Sequence, residues 1–483
     1  FGSRFRLQAR WLVGCRGSPG SCRLSQGGAR MLRLVGRQLR AGAGRAAAAL
    51  GTAPPGPVAP APGALGRGPA ARGLAAGAEA QAARRLWRWG ATSTGTLSQQ
   101  DVAEVSKEPV LMEEFSGVST AACGSSHSAF VVDGQLYTYG SNKYDQLGRE
   151  APAGETATTG SGPAPVTLEA EDGHHPAVLE VALGARHSAA ITEGGALWTW
   201  GWGGSFWKGA GALGHGGRGN VETPALVKSF VEQGEEVRQV ACGSQHTLVL
   251  TSEGRLYSTG KGDFGILGRG DTRDATEFEE IEYFFQSNDS ILNPNDPTTI
   301  VKVGAGSNFS AALSQNGELW VWGRNDYGQL GLGEEAMGDM YSAERYPRLV
   351  RSLPVEGHRI VDFDCGEHHL VILTGSGAIY EWGNRTWLEP HPVTLPSRYE
   401  EGLKNIVKIV AGEKCSFALT KEGRVYSWGS KASGCLAQGE DCANTIVQPT
   451  PVPPTAFGHQ HVVDIVASKC RCLAITLEDT YVA

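Results

Sequence analysis

The sequence predicts an all-β fold, a seven-bladed β-propeller over residues 86–483, and three observations predict it. The first is a unit that recurs along this stretch and ends each time in a glycine after an aromatic strand. The second is the short alternating stretches inside each unit, divided by Gly, which indicate one small antiparallel sheet per repeat. The third is that one unit is split between the two ends of the stretch.

Six copies of the unit are complete. The third copy reads VRQVACGSQHTLVLTSEGRLYSTG, with an alternating opening strand, a Gly-x-x-His turn and an aromatic closing strand. The glycines that end the six copies are Gly140, Gly201, Gly260, Gly323, Gly383 and Gly429. A seventh copy begins at Val462 and contains only the opening half.

The missing half of the seventh copy lies at the other end of the repeat region. Residues 86–90 read LWRWG, which matches a closing strand and has no opening half before it. We predict that this N-terminal strand completes the C-terminal blade and closes a ring, because closure removes the free sheet edges that an open array exposes.

The side chains within the unit suit a ring of blades. Packing near a crowded axis requires small side chains at the end of the opening strand, and thiols that are expected to be buried and inert occupy this position in three copies: Cys123, Cys242 and Cys365. Aromatic side chains alternate along the closing strand and should pack between neighbouring blades, as in the pairs Trp198 with Trp200 and Trp320 with Trp322.

Residues 1–85 differ from the rest of the chain. They contain fourteen Arg, no Lys and a single acidic residue, Glu79, whereas residues 86–483 carry twenty more acidic than basic side chains. From Met31, taken as the start of translation, apolar residues fall on one side of a helical wheel with Arg on its flank. This pattern, followed by a Pro/Ala/Gly/Arg-rich stretch, is typical of an organelle transit peptide and a disordered segment.

The few Ser and Thr after Met31 favour the mitochondrion over the plastid, which is the alternative organelle. We expect a location in the mitochondrial matrix or at the inner membrane. A different interpretation of the segment is a disordered basic tail that binds nucleic acid or a membrane.

Charge and motifs exclude several classes of function for residues 86–483. An acidic body has no general attraction to phosphate backbones, so RNA binding is disfavoured. No stretch has the roughly 18 to 20 apolar residues that cross a bilayer. No P-loop, Gly-x-Ser-x-Gly elbow or His-Glu-x-x-His helix occurs, so we expect no hydrolase, no catalytic residue and no cofactor.

We also expect no metal site. Histidine follows the turn glycine in four copies, at His127, His187, His246 and His369. The other three copies replace it with Phe309, Cys415 and Arg471, so no common ligand set exists. We expect each imidazole to bond a neighbouring backbone group instead. Residues 209–214 fit a Gly-x-Gly-x-x-Gly pattern but lack the strand–helix context of a dinucleotide site.

The unit Gly-x-x-His-x-x-x-x-Thr-x-x-Gly-x-Leu-Tyr-x-Trp-Gly, followed by Asn-x-x-Gly-Gln-Leu-Gly, resembles the RCC1 (regulator of chromosome condensation) repeat family over residues 86–483. With its basic presequence the chain resembles the mitochondrial RCC1-like proteins. The resemblance implies guanine-nucleotide exchange, a role in mitochondrial ribosome, transcript-splicing or respiratory-complex biogenesis, or ultraviolet reception. The photoreceptor's Gly-Trp-Arg-His-Thr motif is absent, because its equivalents at residues 184–188 and 243–247 lack the Trp.

Three groups of residues are candidates for binding a protein partner. The resemblance implies that acidic and histidine side chains on one propeller face serve exchange, and by position these are Asp263, Asp326, His368 and His369. The insertion after Gly201 adds possible aromatic anchors, namely Trp202, Phe206 and Trp207. The acidic, aromatic connection over residues 271–299 suits a basic protein and contributes Glu279, Glu280, Tyr283 and Phe284.

The sequence therefore predicts a non-hydrolytic, monomeric propeller that binds a small GTPase or an assembly intermediate in organelle biogenesis. The alternative is a guanine-nucleotide exchange factor for a mitochondrial GTPase. Exchange needs no catalytic group, because it requires only tighter binding to the nucleotide-free GTPase than to the loaded one. RNA binding, a third class, would need a basic face on an acidic body.

Overall fold

The computed structural model describes residues 83–91, 105–150, 161–205, 209–286, 298–333, 342–351, 359–394, 405–431, 434–439 and 442–481. The predicted presequence lies outside these residues up to residue 82, so it stays a prediction. The described residues form seven four-stranded antiparallel sheets arranged as the blades of a β-propeller. The described part of the chain contains no helix long and apolar enough to span a membrane.

The chain begins in the seventh blade and then builds the others in order. Its first strands are β1 (Arg84–Ala91) and β2 (Val105–Ser116). The first blade contains β3 (Val118–Cys123), β4 (His127–Val132), β5 (Gln135–Gly140) and β6 (Ser161–Val166). The second contains β7 (Val178–Leu183), β8 (His187–Thr192), β9 (Leu197–Gly201), a small ribbon of β10 (Gly204–Ser205) and β11 (Gly209–Ala210), and β12 (Val221–Leu226).

Helix α1 (Lys228–Gln233) precedes the first strand of the third blade, and helix α2 (Tyr283–Gln286) comes after its last strand. The third blade contains β13 (Val237–Cys242), β14 (His246–Thr251), β15 (Leu256–Gly260) and β16 (Ala275–Glu280). The fourth contains β17 (Ile300–Ala305), β18 (Phe309–Ser314), β19 (Leu319–Arg324) and β20 (Ala343–Leu349).

The last three blades complete the ring. The fifth contains β21 (Ile360–Cys365), β22 (His369–Thr374), β23 (Ile379–Gly383) and β24 (Trp387–Pro392). The sixth contains β25 (Ile406–Ala411), β26 (Cys415–Thr420), β27 (Val425–Ser430) and β28 (Thr445–Pro451). The seventh consists of β29 (Gln460–Ser468) and β30 (Arg471–Tyr481) with β1 and β2.

The predicted closure of the ring is confirmed. β1 pairs antiparallel with β30 over residues 84–90, with Leu86 opposite Ile475 and Trp89 opposite Cys472. The N-terminal part supplies two strands, since β2 pairs with the other edge of β1. The indole Nε1 of Trp89 donates a hydrogen bond of 2.6 Å to the carbonyl oxygen of Cys435 in the sixth blade. The closing strand therefore also ties the seventh blade to its neighbour.

The first strand of each blade lies at the axis, and neighbouring first strands contact one another round the ring and from β29 back to β3. These strands are sheet edges, whose backbone groups need partners. Side chains at the third residue of the strand supply some of them. Gln239 bonds both backbone groups of Val303 in the next blade, and Lys302 donates to the carbonyl oxygen of Phe363 at 2.6 Å.

The apolar core is divided among the contacts between blades, called seams here. Among the described residues seven large clusters of buried apolar side chains occur, and each contains residues from two adjacent blades. In the first seam, Trp198 and Trp200 of the second blade pack on Ala129 and Val131 of the first. The predicted packing of the aromatic strands between blades is confirmed.

Among the described residues, a histidine–hydroxyl pair crosses four of the seven seams. The ring Nε2 of each turn histidine lies within hydrogen-bond distance of a hydroxyl in the next blade, at 2.9 to 3.1 Å. The pairs are His127 with Ser188, His187 with Thr247, His246 with Ser310, and His369 with Ser416. The expected backbone partner is wrong, because the turn's backbone groups already bond one another, as in the Gly124 amide to the His127 carbonyl.

In the first seam the hydroxyl hydrogen is donated to a loop carbonyl of the blade that holds the histidine. The hydroxyl oxygen must therefore accept the hydrogen bond from the imidazole. Ser188 Oγ donates to the Gln146 carbonyl oxygen at 2.7 Å, and Trp200 Nε1 donates to the same oxygen at 3.0 Å. Where the fourth blade carries Phe309, the fifth carries Leu370 in place of the hydroxyl, and both are buried in one cluster. The seam therefore accepts either a polar or an apolar pair, but the two members match.

Burial keeps these histidines uncharged. Desolvation, with a smaller contribution from the Arg471 charge, lowers the pKa of His127 to about 3, and desolvation lowers that of His187 to about 3 and that of His246 to about 4. The pKa of His369 is lowered for the same reason. Burial likewise raises the pKa of the Cys123 and Cys242 thiols to about 12, which keeps them protonated.

The matching of seam pairs can be tested at the first seam. Ser188→Leu leaves His127 Nε2 buried without a partner and should cost about 1–3 kcal/mol. The double variant His127→Phe/Ser188→Leu copies the Phe309–Leu370 seam, and Trp200 still bonds the Gln146 carbonyl. We expect the double variant to be more stable than Ser188→Leu in urea unfolding. An additive or larger loss would contradict the matching.

Stability should fall as the pH falls below the unfolded-state pKa of histidine, near 6.5. Between that pH and about 3 to 4, each of these histidines binds a proton in the unfolded chain but stays neutral in the fold. Each histidine therefore lowers the free energy of unfolding by roughly 1.4 kcal/mol per pH unit as the pH falls. We expect a shallower slope for His127→Phe/Ser188→Leu than for the wild type, measured by urea unfolding between pH 7 and pH 4. Parallel slopes would show that His127 is protonated in the fold.

Candidate interaction face

The two ends of the propeller carry different connections. The Gly-x-x-His turns and the connections from third to fourth strands lie at one end, called the upper face, because His246 pairs with Gly260 and Gly260 with Ala275. The turns from second to third strands and the links between blades lie at the other end, the lower face. Residues can be placed on a face from this topology alone.

The axial opening at the upper face is narrow. It is lined by the turns of the blades, including residues 184–185, 243–244, 306–307 and 366–367, and encloses about 60 Å³. Backbone bonds join successive turns, such as Ser125 N to Gly184 O at 3.3 Å. A Cβ on Gly243 would lie 2.1 Å from Cε1 of His246, so this turn requires glycine. The backbone bonds between successive turns therefore join neighbouring blades around the axis.

A group of planar and charged side chains lies on the upper face of the third, fourth and fifth blades. We call it the upper-face cluster, and it consists of Phe264, Arg324, Asp326, Tyr327, His368 and Arg385. Phe264 and Tyr327 occupy the same place in the Gly-rich loops of their blades, and His368 lies in the turn before β22.

The cluster is a set of stacked planar groups. The rings of Tyr327 and His368 are stacked, with centroids 4.3 Å apart and an interplanar angle of 15°. The guanidinium of Arg385 lies 4.3 Å from the Tyr327 centroid, and that of Arg324 lies 4.9 Å from the Phe264 centroid. Aromatic stacking and cation–π contacts hold these groups in place without burying them fully.

Asp326 anchors the cluster from below. Its Oδ2 accepts a hydrogen bond from Arg324 Nη2 at 2.7 Å and lies 3.9 Å from Arg385 Nη2. The residue is 7% exposed, whereas the Arg385 side chain is 62% exposed. Desolvation and the Arg324 charge lower the pKa of His368, so its ring stays neutral near pH 7.

The fifth blade exposes this cluster because its upper connection is a tight turn. Asn384 and Arg385 both have positive φ, 51° and 59°, which is the conformation of a two-residue hairpin turn. The backbone N–H of Arg385 donates to the Tyr327 carbonyl oxygen at 2.9 Å. The turn is too short to contain the Asn-x-x-Gly-Gln-Leu-Gly loop that other blades carry.

A side chain replaces the hydrogen-bond acceptor of the missing loop in the fifth seam, which lies between the fifth and sixth blades. In the first seam a loop carbonyl, that of Gln146, accepts from Ser188 and Trp200. In the fifth, the Glu381 carboxylate accepts from Ser416 Oγ at 3.0 Å and from Trp428 Nε1 at 2.6 Å. The carboxylate supplies the acceptors that the loop no longer provides, so the blade can carry a short turn.

Three of the predicted partner-binding residues meet on this face. Asp326 and His368 belong to the cluster, and Asp263 precedes Phe264, with its carboxylate 2.6 Å from Lys261 Nζ and about half exposed. His369 does not join them, since it lies in the fifth seam and is 1% exposed.

The other predicted residues lie elsewhere. Trp202 is on the upper face of the second blade but is 5% exposed, because Arg186 covers its ring, so it is not an exposed anchor. The lower end of β16 contains Glu279 and Glu280, and α2 beyond it contains Tyr283 and Phe284. Phe284 is buried against Trp320. Phe206 and Trp207 lie outside the described residues.

The cluster also contains residues that the sequence analysis did not select. Arg324, Tyr327 and Arg385 are the groups that stack and pair around Asp326. Two signals were available, the fullest copy of the Gly-rich loop at residues 323–331 and the three-residue connection at 384–386.

The RCC1-like domain family matches residues 85–474, and the chain belongs to this family. The Ultraviolet-B receptor UVR8 of Arabidopsis thaliana is 31% identical over 368 residues, which cover 74% of this chain and 74% of that protein. The structure of human WBSCR16 is similar with a TM-score of 0.64 at 22% identity, over 81% of this chain and 98% of that one.

The structure of Prp20p from Saccharomyces cerevisiae is similar with a TM-score of 0.66 at 20% identity, over 84% of this chain and 93% of that one. At these identities the two solved structures bear on the fold alone. The predicted repeat family and the seven-bladed fold are confirmed.

Proposed function

We propose that this RCC1-like propeller is a non-hydrolytic protein-binding scaffold in mitochondrial biogenesis, acting on a ribosome, transcript-processing or respiratory-complex intermediate. The observation that carries the protein-binding part is the upper-face cluster. Arg and Tyr are the residue types that most often dominate binding energy at protein interfaces, and here they are held in place before a partner arrives. The mitochondrial part rests on the Arg-rich, acid-poor pattern of residues 1–85.

The alternative is guanine-nucleotide exchange on a mitochondrial GTPase. One observation favours it, namely that Asp263, Asp326 and His368 lie on one face, as the family resemblance implies for exchange. The binding properties of Prp20p to Gsp1p and histones have been described. Asp326 is already paired with Arg324, which leaves fewer acidic groups for a GTPase to contact.

The scaffold and exchange proposals predict different results with the full chain. We expect affinity-purified protein from isolated mitochondria to bring down a ribosomal, RNA-processing or respiratory-complex intermediate, identified by mass spectrometry. Arg385→Ala and Tyr327→Ala should each reduce its yield about tenfold, as loss of a central interface residue does. The release of labelled GDP from candidate GTPases should stay at its spontaneous rate.

The matched control is Arg348→Ala. Arg348 is 57% exposed on the outer strand of the fourth blade and pairs with Glu344, so the variant makes the same charge change away from the cluster. Equal losses in Arg385→Ala and Arg348→Ala would contradict a role for the cluster. Accelerated GDP release that depends on Asp263 would favour the exchange factor.

A further inference from the structure

Resting on the proposed scaffold function, we infer that the upper-face cluster receives a segment of the partner protein in which a single carboxylate pairs with Arg385 and basic groups lie beside it. Three features of Arg385 support this pairing, namely its exposed guanidinium, its fixed position and the charges that surround it.

Within the described part of the chain, Arg385 shares its carboxylate neighbour, Asp326, with Arg324, so the two guanidinium charges exceed the one carboxylate charge. A guanidinium carries five N–H donors. The nearest carboxylate, that of Asp326, lies 3.9 Å from Arg385 Nη2, beyond hydrogen-bond distance, and already bonds Arg324 at 2.7 Å. With the side chain 62% exposed, the guanidinium is available to a carboxylate, which it can bind through two parallel hydrogen bonds.

Arg385 is held in its position before binding. Its backbone has a φ of 59°, in the left-handed region that non-glycine residues seldom adopt, and its N–H donates to the Tyr327 carbonyl oxygen. Its guanidinium rests over the Tyr327 ring, which is itself stacked on His368. A side chain fixed in this way loses less entropy on binding than a free one.

An exposed aromatic residue follows Arg385 two positions along the chain. Trp387 pairs with Gly383 across the same hairpin, is 45% exposed and stacks on His391. A partner segment that combines a carboxylate with apolar side chains would contact both the guanidinium and the indole. Such a combination of a charged centre with aromatic area is common at protein interfaces.

The surrounding charges favour a protein over a nucleic acid. Residues 86–483 carry an excess of twenty acidic groups, and Asp263, Glu367 and Glu413 lie near the cluster on the upper face. A polyphosphate backbone would meet this repulsion along its length. A single carboxylate is attracted by Arg385 at short range, and basic groups beside it on the partner can face Asp263.

The test uses zero-length cross-linking in the co-purified complex. In Arg385→Lys, a water-soluble carbodiimide activates a carboxylate, and the lysine amine displaces the urea leaving group to form an amide with net loss of water. We expect mass spectrometry to find position 385 joined to an Asp or Glu of the partner. The matched control, Arg348→Lys, should give no such product with the partner. Arg385→Glu should reduce the yield of the complex at least tenfold.

Three results would overturn the inference. Cross-links from position 385 only to Asp326 would show that the charge is used internally. A complex that survives Arg385→Glu would show that no partner carboxylate binds there, while leaving the scaffold proposal intact. A complex that nuclease disperses, with no partner carboxylate joined to position 385, would identify RNA as the occupant. Failure of the wild type to retain any intermediate would instead reject the scaffold function itself.

Discussion

β1 lies between β30 and β2, so two strands from the N-terminal part of the repeat region complete the sheet that the C-terminal strands begin. Without β1 the seventh blade would lose an inner strand, and the sixth would lose the Trp89 indole that bonds Cys435. Each blade has little core of its own, because the large buried clusters span the seams. One open seam would therefore expose apolar surface on two blades, and the ring transmits that loss to its neighbours.

The seams also decide what the upper face can present. In the first seam a loop carbonyl accepts hydrogen bonds from the hydroxyl and the indole of the next blade. The blade that supplies the carbonyl therefore needs a long Gly-rich loop. Glu381 provides the same acceptors from inside a strand, so the fifth blade needs only a tight turn. That turn places Arg385 over Tyr327 on the upper face. A buried substitution in a seam is thus linked to the composition of the candidate binding surface.

The repeat and its split ends predicted the fold because each copy repeats the same local chemistry, and residues 86–90 match a closing strand letter for letter in their aromatic pattern. The hydroxyl partners of the histidines lie in different repeats, so no single copy of the unit reveals them; the sequence signal is the joint change of both positions, as in Phe309 with Leu370 and Cys415 with Cys472. Trp202 and Phe284 are covered by Arg186 and Trp320, which no local pattern reveals. The upper-face cluster combines loops of three blades, so its geometry required the closed ring.

The most direct test of this account compares two truncated chains by thermal unfolding, one beginning at Ala83 and the other at Thr92. The first keeps β1, and the second lacks it while retaining β2 and the other six blades. The account predicts one cooperative transition near that of the full chain for the first, and a much lower or broadened transition for the second, because its ring cannot close. Equal melting temperatures for the two chains would contradict closure by β1 as the source of the fold's stability.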